Sequence, residues 1–325
     1  MKRTLPAAIA ALSLLSCVAF SAHAQTYPAK SITVLVAYPP GGGPDILARS
    51  LAEKLTQRLG QTVVVENKPG ASGMIGAAQV ARAPADGYTL LMAPNTFLLA
   101  PQVMTKGIAA QVDVLKDFTP IIEPSRGTMI LAAHPSLGVK NAKELAALLK
   151  KEPGLGYATP GSGSPMHIAG ELFKQAAGVE MTHVPYKGVA PAINDTVGGQ
   201  VKIVYSALGA IGQYISSGRL VALAAVSKDR SPLMPELSTM AEQGFPTVEV
   251  NVWYGIYAPK NTPKPVVDKL NQEINEILKT PDMIARMKTS WEVPVGGTPE
   301  ALAAQSQREY VTFGKVIKEF NITAD

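Results

Sequence analysis

Two glycine-rich loops carry the clearest chemistry in the sequence. Residues 38–45 read YPPGGGPD and residues 159–165 read TPGSGSP, and each loop stands between an apolar strand-like run and a helix-like run. Glycine lets the backbone approach a ligand closely, and the start of a helix offers unpaired N–H groups with partial positive charge. The hydroxyls of the second loop add further donors. Both loops are therefore suited to bind anionic oxygen, above all a carboxylate.

Each loop taken alone is also compatible with a tight strand-to-helix turn, because Gly and Pro are common in such turns. Neither loop matches a P-loop or a dinucleotide fingerprint, since the Lys-Ser/Thr pair and the glycine spacing are missing. Neither contains Arg or Lys, which mildly disfavours phosphate as the anion. A pair of such loops facing each other across a cleft favours a small-ligand site.

An exported hydrolase or transferase is the alternative that stays open on the residues alone. Ser162 or Ser164 would act as the nucleophile if a histidine and a carboxylate lay within hydrogen-bond reach. His167 is near in sequence, although packing or bracing the loop is the commoner role for such a residue. The histidines lack metal-ligand spacing, and no acid and base form an evident pair. We therefore predict no catalytic residue, no metal and no cofactor.

The elements that position these loops follow an alternation of short apolar runs and amphipathic stretches. This alternation predicts an α/β fold with mostly parallel sheets flanked by helices. Strands are predicted at 31–38, 62–66, 88–93, 155–158, 181–185, 201–205 and 220–226. Helices are predicted at 45–59, 72–83, 141–151, 166–177, 191–197, 208–217, 265–279 and 299–320.

Two segments, residues 119–133 and 245–259, are typical of chain crossings between two lobes. We therefore predict a discontinuous first lobe over 25–123 and 248–325, a second lobe over 124–247, and a cleft between them. The chain has 325 residues, of which 46% are hydrophobic and 17% are charged. That length suggests two domains with a sizeable core, and that composition excludes a disordered chain.

The first 24 residues predict a signal peptide. Lys2 and Arg3 precede an apolar run over 5–20, and Ala22 and Ala24 fit the small-residue cleavage pattern. We expect cleavage after Ala24 and export to the periplasm, while Cys17 leaves a lipoprotein open as the alternative. The basic excess of 30 Lys and Arg over 25 Asp and Glu is small, partly carried by this leader and otherwise dispersed. We therefore predict no nucleic-acid partner.

Several motifs together resemble one family of exported receptors. They are YPAK at 27–30, YPPGGGPDILAR at 38–49, VENKPGA at 65–71, ADGYTL at 85–90, GSGS at 161–164 with His167, and VPYKG at 184–188. In these motifs the chain resembles the periplasmic solute receptors of the tripartite tricarboxylate transporter family, often called Bug-type receptors. The resemblance implies a two-lobed, type II periplasmic-binding fold that closes on a small solute, often a carboxylate, and performs no chemistry.

The same resemblance implies partners and site residues. The partners would be integral-membrane transporter subunits or a sensor kinase, and a monomer suits a receptor that opens and closes. The ligand-binding residues implied are Tyr38, Pro40, Gly41, Gly42, Asn95, Thr96, Thr159, Ser162, Ser164, Tyr186, Asp195, Ser206 and Ala207. Asn95 departs from the Ser or Gly often found in the family at this position. The ligand stays open among dicarboxylates, aromatic acids, amino acids and others.

Overall fold

The computed structural model describes residues 27–104 and 106–324. The predicted signal peptide, with Cys17 and the cleavage position after Ala24, lies outside these residues. In the described part of the chain the strands are β1 Ile32–Val36, β2 Val63–Asn67, β3 Thr89–Pro94, β4 Phe118–Gly127, β5 Met129–Ala133, β6 Leu155–Thr159, β7 Met181–Pro185, β8 Ile203–Ala207, β9 Val221–Ala225, β10 Val252–Pro259 and β11 Glu292–Gly296.

The described α-helices lie between these strands and at the end of the chain. They are α1 Gly43–Leu59, α2 Met74–Ala81, α3 Thr96–Val103, α4 Ala142–Lys151, α5 Pro165–Ala177, α6 Val189–Val197, α7 Leu208–Ser216, α8 Lys264–Leu278, α9 Pro281–Thr289 and α10 Pro299–Glu319. Two sheets result, with the strand orders β11-β4-β10-β3-β1-β2 and β7-β6-β8-β5-β9. The predicted two-lobed α/β fold is confirmed.

The sheets are mixed, although most strands of each sheet run in one direction as predicted, and β5, β10 and β11 run against it. β1 pairs in parallel with β2 and β3, and β6 pairs in parallel with β7 and β8. The antiparallel pairs all involve β5, β10 or β11. β5 and β10 enter their sheets from the opposite lobe, and β11 follows β10 on the same side. No βαβ crossover links these strands to a neighbour in their sheet, so they can pair antiparallel.

The chain leaves the first sheet at the end of β4 and joins the second at β5, with Thr128 between the two strands. It returns to the first sheet at Val252, where β10 begins. Both changes fall within the segments expected to cross between lobes. The exact lobe boundaries at 123 and 248 stay a prediction.

Most predicted elements are present, and helix α1 shows why. Leu47, Leu51 and Leu55 recur at four-residue steps and are all buried on one face, as an amphipathic helix requires. Gly60 then ends the helix in the left-handed conformation, with its N–H donating to the Thr56 carbonyl. The α-helices and strands not predicted are α3, α9 and β11, whereas β4, β5 and β10 lie in the two segments predicted only as crossings between lobes.

The C-terminal helix ties the two lobes together. Phe313 and Val316 of α10, with Val103 of α3, belong to the same apolar cluster as Leu131 and Tyr157 of the second sheet. Elements that flank the first sheet therefore complete the core of the second. Within residues 27–104 and 106–324, no helix combines the length and apolar character needed to cross a membrane.

Candidate functional site

The predicted binding loops lie at the carboxyl ends of adjacent parallel strands. Tyr38 follows β1 and Asn95 follows β3, and these strands are neighbours in the first sheet. Thr159 ends β6 and Ala207 ends β8, which are parallel neighbours in the second sheet. Ligands of open α/β sheets bind beyond such strand ends. Each lobe therefore assembles one group of the predicted residues at one sheet edge.

In the first loop, Asp45 organises the backbone. Its carboxylate is buried and accepts hydrogen bonds from the Gly41 N–H at 2.9 Å, from Asn67 Nδ2 at 2.9 Å and from Arg49 Nε at 3.1 Å. Burial alone would raise the pKa of Asp45, but hydrogen bonds from Arg49, Gly41 and Asn67 hold it below its usual value. The same Asn67 amide donates to the Tyr38 carbonyl at 3.1 Å.

This arrangement decides which backbone donors the first loop still offers. The Gly41 N–H is already bound by Asp45, so Gly41 gives the loop its turn, at φ +81°, rather than a spare donor. Pro40 and Gly42 are exposed, and the Gly42 carbonyl accepts from the first turn of α1. The N–H groups of Gly42 and Gly43 have no acceptor among the described residues. Gly43 is the first residue of α1, where the helix dipole favours an anion.

Tyr38 and Thr96 form the wall beside this loop. The Tyr38 hydroxyl donates to the Ser72 carbonyl at 3.0 Å and also lies within hydrogen-bonding range of the Thr96 side chain. Burial raises the pKa of Tyr38, so its hydroxyl stays protonated. Both side chains are only partly buried. The structure thus brings together Tyr38 and Thr96, two predicted residues that are far apart in sequence.

Asn95 lies behind this wall, and its side-chain amide donates two hydrogen bonds. Its Nδ2 donates to the Asn251 carbonyl at 2.9 Å and to the Glu309 carboxylate at 3.1 Å. Its Oδ1 is buried and has no partner among the described residues. Trp253 Nε1 also donates to Glu309, at 2.7 Å, so Asn95 joins α3 to the crossing strand β10 and to α10. Sequence reasoning missed this link, because its members are distant in the chain.

The second loop is capped by Ser164. The Ser164 hydroxyl accepts from the His167 N–H at 3.3 Å and donates to the Gly161 carbonyl at 2.7 Å. Thr159 Oγ1 donates to the same carbonyl at 3.3 Å. The Ser162 N–H, in contrast, has no acceptor among the described residues, and Ser162 is partly exposed. The loop therefore offers its donor at Ser162.

Tyr186, Asp195, Ser206 and Ala207 complete the group on the second lobe. The Tyr186 hydroxyl donates to Asp195 Oδ2 at 2.7 Å, and burial, aided by Asp195, raises the pKa of Tyr186 to about 12. These two predicted residues therefore bind each other. The Ser206 hydroxyl is buried without a partner among the described residues, and Ala207 is the N-cap of α7.

A buried acid lies next to the first loop. Burial raises the pKa of Glu292 to about 7, against hydrogen bonds from Ser125 and Tyr254. The Tyr254 hydroxyl lies so close to Gly43 that a β-carbon there would overlap it. A cavity of about 160 Å³ lies beside these residues, lined by Gly43, Ile46, Leu47, Ser50, Met283, Arg286, Met287, Thr289, Ser290 and Glu292. This cavity is on the flank of the first lobe and is not the space between the two loops.

The two loop groups approach each other through helix α3. Thr96 at its start contacts Tyr38, and Val103 at its end lies against Gly163 of the second loop. An eight-residue helix is about 12 Å long, which sets the scale of the separation. Among the residues that the structure describes, no group of three or more His, Cys, Asp or Glu side chains is placed to hold a metal ion.

Comparison with known proteins agrees with this geometry. The family model of the tripartite tricarboxylate transporter family receptor matches residues 47–322. The chain is 36% identical over 303 residues to the UPF0065 protein in the tcbD-tcbE intergenic region of Pseudomonas sp. (strain P51), covering 93% of this chain and 89% of that protein. It is 35% identical over 305 residues to protein BugT of Bordetella pertussis, covering 93% of each.

Solved structures show the same fold. Rpa4515 of R. palustris, solved with adipate, superposes with a TM-score of 0.83 at 32% identity, covering 91% of this chain and 99% of that chain. The periplasmic binding protein BugD gives 0.78 at 38%, with 91% and 99% covered. MatC of Rhodopseudomonas palustris, solved with malate, gives 0.78 at 28%, with 90% and 100% covered.

The chain belongs to the tripartite tricarboxylate transporter receptor family, as the family match over most of its length establishes. Members of this family are solute receptors and not enzymes, so the hydrolase alternative is set aside. The local geometry agrees, since the Ser164 hydroxyl caps helix α5 through the backbone N–H of His167 and not through its ring. The resemblance seen in the sequence motifs is thereby confirmed.

Proposed function

We propose that this protein captures a small carboxylate in the periplasm, between the two loops, and delivers it to the membrane subunits of a tripartite tricarboxylate transporter. The observation that carries the proposal is the set of backbone donors without an acceptor among the described residues, at Gly42 and Gly43 in the first loop and at Ser162 in the second. Each lies at or just before the start of a helix, where the dipole favours negative charge. A carboxylate would satisfy such donors without a buried counter-charge.

Two solved relatives support this ligand class. Rpa4515 was solved with adipate and MatC with malate, which are both dicarboxylates. Closure of the two lobes on such a ligand would shift an open–closed equilibrium by the difference in affinity between the two states. The site residues implied by the resemblance stay a proposal, with Tyr38 and Thr96 on one side, and Thr159, Ser162 and Tyr186 on the other.

Location and partners belong to the same proposal. The leader over residues 1–24 would direct export, and the closed form would dock on integral-membrane subunits or, as the alternative, on a sensor kinase. The receptor would act as a monomer, because lobe closure needs no second subunit.

Two substitutions of Ser162, one negatively charged and one neutral, test the proposed ligand chemistry. Ser162→Asp places a carboxylate where the anion would bind, whereas Ser162→Asn is similar in size and neutral. A thermal-shift screen of mono- and dicarboxylates first identifies a binder for the unmodified protein. We expect Ser162→Asp to weaken binding of that carboxylate at least 100-fold, and Ser162→Asn to weaken it less than tenfold. Equal losses in the two variants would contradict an anionic ligand at this loop.

A further inference from the structure

A pair of histidines lies directly beneath the second loop. The rings of His167 and His183 stack with their centroids 3.6 Å apart and their planes 12° apart. His167 lies in the first turns of α5, and His183 is the central residue of β7. Neither was a predicted site residue. Their separation in sequence gives no sign that they meet.

Each histidine bonds one end of the loop. His167 Nδ1 accepts the Gly163 N–H at 3.2 Å, and His183 Nε2 lies 2.6 Å from Thr159 Oγ1. Thr159 Oγ1 in turn donates to the Gly161 carbonyl at 3.3 Å. The stacked rings therefore join the first and last parts of the loop, on either side of Ser162, through contacts that are independent of the backbone turn.

The bond to Gly163 fixes the state of His167. A ring nitrogen that accepts a hydrogen bond carries no proton, so neutral His167 holds its proton on Nε2. A protonated His167 would turn a donor towards the Gly163 N–H, so this bond requires an uncharged His167 ring. In the bond between Thr159 Oγ1 and His183 Nε2, the tautomer of His183 decides which atom donates.

The surroundings keep the rings uncharged. Burial lowers the pKa of His167 to about 4, with a smaller contribution from Lys174. Burial, and to a smaller extent His167, lowers the pKa of His183 to about 3, while Glu171 acts to raise it. The other titratable side chains packed here include Glu171, with an oxygen 3.8 Å from His167 Nε2, Tyr157, whose hydroxyl donates to Glu171 at 2.6 Å, and Tyr205, whose pKa is raised by burial. Lys174 holds the second Glu171 oxygen at 2.8 Å.

We propose that His167 and His183 are positioning residues that hold the loop over residues 159–164 in the form in which its donor at Ser162 is turned to the ligand. His167 occupies the Gly163 amide, so that this group does not compete with Ser162 for the anion. The proposal rests on the proposed function only in taking the loop over residues 159–164 as a ligand-binding loop. The clamp itself is a property of the unliganded chain.

The first experiment uses the full chain without ligand. Asparagine carries an acceptor close to the position of Nδ1, and leucine carries none, so His167→Asn and His167→Leu separate the hydrogen bond from the volume of the side chain. We expect hydrogen exchange of the Gly163 amide to be at least tenfold faster in His167→Leu and within about threefold of the unmodified protein in His167→Asn. Ring ¹⁵N spectra should show Nδ1 of His167 unprotonated above pH 5.

If His167→Leu fails to fold, the second residue of the pair gives the same test. Glutamine places its amide near the position of Nε2, so His183→Gln should keep the bond to Thr159 and His183→Leu should lose it, with faster exchange at Gly161 only in the latter. Equal exchange in the asparagine and leucine variants, or a protonated Nδ1, would overturn the clamp.

The second experiment measures adipate and malate affinity in the same variants. If the unmodified protein binds either compound, His167→Leu should bind it about tenfold more weakly and His167→Asn within about threefold. Unchanged affinity in His167→Leu would refute the positioning role. If neither these compounds nor any other carboxylate of the thermal-shift screen binds, the proposed ligand class is contradicted, and the exchange data still decide whether the histidines hold the loop.

Discussion

Replacement of Gly163 by alanine tests the contact between the second loop and helix α3. Gly163 has φ +72°, and an added β-carbon would lie 2.5 Å from both γ-carbons of Val103 and 2.9 Å from its β-carbon. Rotation of Val103 about χ1 gives no relief, because its own β-carbon is too close. Val103 is only 2% exposed, so it has little room to move away.

Two separate costs follow from this geometry. A left-handed conformation costs a residue with a β-carbon about 1–2 kcal/mol, and overpacking of a buried site costs about 1–3 kcal/mol. We therefore expect Gly163→Ala to lower the free energy of unfolding by about 2–5 kcal/mol. With Val103→Ala already in place, both γ-carbon overlaps are gone and only the β-carbon contact at 2.9 Å remains, so Gly163→Ala should cost less than in the unmodified protein.

Urea unfolding of the unmodified protein, the two single variants and the double variant measures these values. The cost should be smaller in the Val103→Ala background by at least about 1 kcal/mol, because the overlaps with the two γ-carbons are absent there. If the cost of Gly163→Ala is the same in both backgrounds to within about 0.5 kcal/mol, the loop does not pack on Val103 as described.

Two further predictions concern charged groups next to the first loop. Asp45→Asn should lower the free energy of unfolding by about 1–3 kcal/mol, because it removes the charge that holds Arg49 and the Gly41 N–H. Urea unfolding beside the exposed control Asp229→Asn checks this. Glu292 has a folded-state pKa of about 7, above its ordinary 4.5, so the folded chain binds the extra proton between these values and this carboxyl makes stability fall as pH rises. The stability gained by Glu292→Gln, relative to the unmodified protein, should grow by about 3 kcal/mol from pH 4 to 8, and a pH-independent difference would contradict the raised pKa.

The sequence predicted the elements whose pattern is local. Helix α1 has leucines at four-residue steps and a glycine stop, and both features appear in the structure as expected. Helix α3 was missed because its residues are apolar on all sides and include Pro101, so no helical face stands out. Strand β11 contains Pro294 and ends at Gly296, and it is a strand only because β4 lies beside it.

The candidate site shows the same division between local and distant information. The Gly- and Ser-rich loops and their helix starts could be identified from residue types, because strand, turn and helix follow one another in the chain. The partners of those loops could not, since Asn67 reaches Asp45 and His183 reaches Thr159 only after the sheets form. Asp45 lies in the first turn of α1, where negative charge is favourable, and only the structure shows that it also occupies the Gly41 amide.

The central claim is that the protein binds a small carboxylate through the charge of its oxygens. Isothermal titration of the full chain with adipate and malate, each beside its neutral diamide of the same carbon skeleton, tests it most directly. We expect at least one dicarboxylate to bind with a stoichiometry of about one ligand per lobe pair, as a single cleft requires, and its diamide to bind at least 100-fold more weakly. Equal affinity for an acid and its diamide, or no binding of any carboxylate in the thermal-shift screen, would contradict the proposed function.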